Sequence, residues 1–151
     1  SHDELAAEGH LYMDDGQTFA YRDDQAFLAR KFTLTRDGPG HLRLASTSLT
    51  GRDIHTSASS TALQVPGNAY EQETSSVRVE RIIVYGLPEV YRIIARDAHG
   101  HETSLAFTYT SGTSRSPTAS DASARLASRL EIRDPRVLIG QDWSILMEIA
   151  P

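Results

Sequence analysis

Two pairs of adjacent carboxylates, Asp14-Asp15 and Asp23-Asp24, have the most evident capacity for chemistry in this sequence. Paired carboxyl groups serve as nucleophile and acid/base in retaining glycoside hydrolysis, where they stand about 5–5.5 Å apart. Neighbouring residues on an extended chain point to opposite faces, so an adjacent pair seldom presents both groups to one substrate. Turns are the simpler reading. His99-Gly100-His101-Glu102 places two imidazoles on one face of an extended segment and could offer two nitrogen ligands to a metal. Asp97 and Gly100 already mark a solvated turn there, and no third ligand is near in sequence. The four aspartates around residues 14–24 offer oxygen ligands without the spacing of a calcium loop. Trp143, like Tyr12, Phe19 and Tyr21, could stack on a sugar ring, but each sits in an apolar pattern that suits a core. Ser, His and Asp all occur, yet no Gly-x-Ser-x-Gly elbow does. No catalytic, cofactor-binding or metal-binding residue is therefore assigned.

These residues must be positioned by short strands. Asp15-Gly16 lies between the apolar-rich runs 10–13 and 18–21, a strong hairpin signal because glycine reaches positive φ without strain. The expectation is a tight hairpin folding Tyr12 back towards Phe19. From Phe27 to Thr35 the chain alternates, with Leu28, Arg30, Phe32 and Leu34 on one face. Asp37-Gly38-Pro39-Gly40 then turns it into His41–Thr47, predicting a second hairpin. Val77–Tyr85 is apolar on both faces, which predicts a central strand. Val90–Arg96 and Ser104–Tyr109 read as a third hairpin, and residues 124–133 as a strand or short helix ended by Asp134-Pro135. Trp143, Ile145, Met147 and Ile149 alternate along a half-buried last strand. About eight short strands without a long helix-period segment or internal repeat predict an all-β antiparallel sandwich. Two Ser/Thr-rich stretches, 48–76 and 110–123, are expected to be flexible loops, the first with partner binding as a sharper alternative.

Bulk composition narrows the functional classes. With 151 residues the chain is long enough for one domain with a sizeable core. Fifteen basic against 20 acidic residues give a net charge of −5, which argues against partners held by electrostatics alone, nucleic acid or an anionic membrane. No apolar run has the length of a membrane-spanning helix, and no signal peptide opens the sequence. The absence of cysteine rules out disulfides, thiolate metal sites and a thiol nucleophile, while leaving the compartment open.

Three segments carry a family resemblance. Leu11-Tyr12-Met13-Asp14-Asp15-Gly16-Gln17-Thr18-Phe19, followed by Phe27-Leu28-Ala29-Arg30-Lys31-Phe32, resembles the C-terminal region of family 31 glycoside hydrolases, most nearly the catalytic α subunits of glucosidase II. Where the family usually has Leu-Tyr-Leu-Asp-Asp-Gly, Met13 is a mild departure that fills a similar volume. Val79-Glu80-Arg81-Ile82-Ile83-Val84-Tyr85-Gly86 is similar to a later strand of the same region, and Ile139-Gly140-Gln141-Asp142-Trp143-Ser144-Ile145 to its extreme C-terminus, in the same order. The resemblance implies a C-terminal β-sandwich belonging to a larger α-glucosidase of the endoplasmic reticulum lumen. Such an enzyme trims α-1,3-linked glucose from N-glycans by a retaining mechanism and needs no cofactor. The family's nucleophile lies in a Trp-x-Asp-Met-Asn-Glu type motif on a barrel domain; that motif is absent here, and no position matches the acid/base aspartate. This chain alone is accordingly expected to be inactive, with the rest of the α subunit as its partner, a regulatory β subunit as a further candidate, and the glycan bound elsewhere. The chain would begin between two strands of its parent, leaving an edge for another segment to complete. A stand-alone carbohydrate-binding module is the rival from another class, and a purely adhesive sandwich a third reading.

Overall fold

The computed structural model describes residues 7–23, 26–49, 74–112 and 127–150. Among them are nine strands: β1 (Ala7–Met13), β2 (Leu28–Arg36), β3 (His41–Ser48), β4 (Arg81–Tyr85), β5 (Val90–Arg96), β6 (Glu102–Ser104), β7 (Phe107–Thr110), β8 (Arg129–Arg133) and β9 (Trp143–Ile149). A four-residue helix, α1 (Ala20–Asp23), and a 3-10 turn at Thr74–Ser76 complete the set. Every strand pair is antiparallel. One sheet runs β1-β2-β3-β9-β5-β6 and the other β4-β8-β7, giving the all-β sandwich that the sequence predicts.

The core lies between the sheets because alternation sends every second side chain inward. From β9 come Trp143, Ile145, Met147 and Ile149, all buried; from β3, Leu42; from β8, Leu130 and Ile132. β5 contributes Val90, Ile93 and Ala95, and a register irregularity between Val90 and Arg92 explains the three-residue step. That bulge puts Tyr91 and Arg92 side by side on the solvent face. The β2–β3 turn forms as expected: Gly38 and Gly40 take φ of 95° and 73°, and Arg43 holds Asp37 at 2.6 Å.

Three expectations need correction. Thr18–Tyr21 is not a strand, because Asp15 accepts hydrogen bonds from the backbone of Gln17 and Thr18 and from the Thr18 hydroxyl. This side-chain capping sends the chain into α1, so β1 pairs with β2 instead and Tyr12 stacks on Phe27 at 5.4 Å rather than meeting Phe19. Gly16 does take positive φ, 63°. Val77–Tyr85 is not central: Arg78 makes only an isolated bridge to Leu138, and β4 is an edge strand. Ile82 and Val84 pack on the core while Ile83 and Tyr85 remain 38% and 62% exposed. Ser104–Tyr109 divides at Leu105-Ala106, where the buried Leu105 anchors to Ile93 O and the chain crosses to the second sheet as β7. The last strand alternates as expected, and it lies inside its sheet, between β3 and β5. Segment 124–133 resolves to a strand over Arg129–Arg133. The readings of 48–76 and 110–123 as flexible loops lie, except at their ends, outside the described residues.

Candidate functional site: a buried arginine and an arginine-lined cleft

Those acidic residues singled out by sequence that are described are spent on local structure. Asp14 accepts from Gly16 N at 2.9 Å, and Asp15 is drawn well into its own turn. The Thr18 hydroxyl, then the Thr18 and Gln17 amides, hold the Asp15 carboxyl below the usual carboxylate range. Asp23 stands 3.6 Å from the guanidinium of its neighbour Arg22, and Asp24 lies outside the described residues. His99 and His101 flank the β5–β6 turn with ring centroids 6.2 Å apart. Asp97 organises that turn, accepting from the amides of His99 and His101 at 2.8 and 2.9 Å, and the amide of His101 leads in lowering its pKa. His101 Nδ1 meets Asp97 at 3.2 Å, and Glu102 is paired with Arg96. Among the described residues no three His, Asp or Glu side chains converge as a metal would need. Nor is any described helix long and apolar enough to cross a membrane. Trp143 is 6% exposed and tilted against Phe32 at 6.0 Å, whereas Tyr12 and Phe19 are exposed.

Two charged residues that no sequence signal distinguished are buried. Arg30, on the inward face of β2, is 1% exposed. Its Nε and Nη2 donate to Ser46 Oγ at 3.1 and 3.0 Å, its Nη2 to Gln141 O and Asp142 Oδ1, and its Nη1 to Gly140 O at 3.4 Å. Asp142 Oδ1 also accepts from Ser48 N at 2.9 Å, so one side chain ties β2 and β3 to the connection before β9. A buried guanidinium is tolerable only when its donors are met in this way. Glu131, on the outer face of β8, is 6% exposed. Arg129, Arg133 and Arg81 surround it at 2.6, 2.8 and 3.4 Å. The hydrogen bond from Arg133, then that from Arg129, keeps its carboxyl below the usual range despite the opposing effect of burial.

An open cleft of about 250 Å³ lies between the β5–β6 turn and the β8–β9 connection, with Arg78, Asp97, His99, Arg136, Gln141 and Trp143 among its walls. The two strand-like segments that carry its arginines are held together by Val79 N to Val137 O and Ile139 N to Val77 O, at 3.0 and 2.9 Å. Arg136 has φ of 57°, a left-handed conformation uncommon for a side chain of this size. Sequence reasoning missed this cleft because its residues are scattered from 78 to 143 and meet only through the fold.

No known protein-family profile matches the chain. It is 24% identical over 139 residues to human neutral α-glucosidase AB, covering 92% of this chain and 11% of that protein. The crystal structure of a glucosidase II α subunit bound to Glc1Man2 superposes over 96% of this chain and 13% of its own, with a TM-score of 0.63 and 24% identity. A glucosidase II heterodimer, made of the catalytic subunit and the binding domain of the regulatory subunit, gives a TM-score of 0.64 at 23% identity over the same shares. The chain thus spans only about one-eighth of the length of the proteins it matches. In sequence and in fold it is similar to the C-terminal region of a glucosidase II α subunit.

Proposed function

We propose that this chain is the non-catalytic C-terminal sandwich of a glucosidase II type α-glucosidase. The whole enzyme would remove α-1,3-linked glucose from N-glycans with retention, in the lumen of the endoplasmic reticulum, using aspartates outside this chain. The sandwich braces the catalytic part of the same α subunit, with the regulatory subunit as a further partner. The observation that carries this reading is the likeness to glucosidase II α subunits over 96% of the chain. The chain's own carboxylates support it, since Asp14, Asp15 and Asp97 are committed to turns. Trp143, the residue on which a stand-alone sugar-binding module would most depend, is buried against Phe32.

The test is hydrolysis of an aryl α-glucoside. The purified chain should show no turnover, and in the longer polypeptide that carries it D14N and D15N should leave kcat unchanged. Turnover by the chain alone, or loss of kcat in either variant with the fold intact, overturns the assignment. A soluble quencher separates the rival: the emission of Trp143 should be protected, and protection that appears only on adding glucose oligomers would favour the module.

A further inference from the structure

We propose that the cleft between the β5–β6 turn and the β8–β9 connection binds an oxyanion, a phosphate or carboxylate group, through the guanidinium groups of Arg78 and Arg136. The argument is an inventory of unspent hydrogen-bonding capacity. Both arginines line the cleft, and among the described residues neither makes an ion pair or a side-chain hydrogen bond. The two carboxylates in the same walls are already engaged. Asp97 receives the amides of His99 and His101 and the His101 ring, and Asp142 receives Arg30 and Ser48 N. Trp143 stands in the same wall, and its indole N–H is the single buried side-chain polar atom without a partner among the described residues. Two exposed guanidinium groups without a protein partner, beside carboxylates already engaged, define a site for a ligand that brings acceptor oxygens and negative charge. Guanidinium groups suit such a ligand because their planar fork matches two oxygens at once.

The position of the site is fixed by backbone rather than by chance proximity. Arg78 stands opposite Leu138 in an antiparallel bridge, two residues from Arg136, so both side chains issue from one narrow ladder. Arg136 is held at φ 57° beside Asp134 at φ 47°. Two left-handed residues that are not glycine, this close in one connection, mark backbone strain that the surrounding structure sustains. The inference does not depend on the catalytic assignment above, and either can fail without the other.

Trp143 is the sole tryptophan in the sequence and forms part of the wall, so its emission reports on the cleft. The 151-residue chain is titrated at constant ionic strength with inorganic phosphate, glucuronate and glucose. A saturable change with a dissociation constant on the order of 1 mM is expected for the anions and none for glucose. Response to phosphate alone assigns the site to phosphate esters; response to glucuronate alone or to both assigns it to carboxylates or to oxyanions generally. The double variant R78Q/R136G should lose at least tenfold in affinity, and glycine at 136 keeps the backbone because it accepts positive φ. Calorimetry with phosphate, on the longer polypeptide and its R78Q/R136G variant, gives the same comparison should the isolated chain not hold its fold. The proposal is overturned if no anion produces a saturable signal, if glucose produces the same one, or if the double variant binds as the wild type does.

Discussion

Among its described residues the sandwich buries one cation and one anion, and it satisfies them in opposite ways. Arg30 reaches across the fold, gathering Ser46 from β3 and three acceptors from residues 140–142, some 110 positions away in sequence. Glu131 is satisfied from close by, with Arg129 and Arg133 two residues to either side on its own strand and Arg81 on the adjacent one. The first arrangement fixes tertiary structure; the second dresses the outer face of a small sheet. The difference teaches that burial alone does not measure importance. What counts is how many separate parts of the chain lose their partner when the residue is removed.

R30M tests the contrast most severely. Removing the guanidinium leaves Ser46 Oγ and two carbonyls without a donor and lets the connection before β9 detach. A loss of about 3 kcal/mol is expected, or roughly 6–12 °C in Tm, by thermal denaturation followed by circular dichroism. S46A removes a single acceptor of the same network and should cost about 1 kcal/mol in a denaturant titration. A value equal to that of R30M would mean that Ser46, not the reach of Arg30, holds the region. For Glu131 the sign follows from its depressed pKa: its contribution is in place above the ordinary carboxylate range, near pH 4.3, and is lost as pH falls through the lower folded value. The Tm gap between wild type and E131Q should therefore be widest at neutral pH and close in acid. A gap that widened in acid would break the account. R133A sits at the small end. It removes one of three partners, itself exposed, and should change stability by no more than about 0.5 kcal/mol.

Alternation was enough to read most strands. Trp143, Ile145, Met147 and Ile149 repeat with period two and are buried as that period demands, and Asp37-Gly38-Pro39-Gly40 announces its own turn. What failed did so for identifiable reasons. Phe19 and Ala20 look like strand residues, but the side chain of Asp15 reaches the Thr18 amide and starts a helical turn, a choice that competes with the hairpin only a few residues away. Ile83 and Tyr85 suggested a second packed face where the structure has an edge strand facing solvent. Pattern records which residues tolerate a pleated surface, not whether another layer covers them. Arg30 fell on the correct face by parity, yet nothing local distinguishes a charge that will be buried from one at a rim. The cleft was illegible for the same reason: Arg78 and Arg136 are unremarkable in sequence and acquire meaning only through the bridge between residues 78 and 138.

β9 has one further consequence, for the order in which the molecule can be built. It lies between β3 and β5, yet follows both in the chain, so the edges at residues 41–48 and 90–96 stay bare until residues 143–149 leave the ribosome. A nascent polypeptide stalled short of that point would display two naked strand borders, each able to recruit a foreign strand. The keystone of the larger sheet is thus also its latest arrival, and surveillance by chaperones should concentrate on that interval of synthesis.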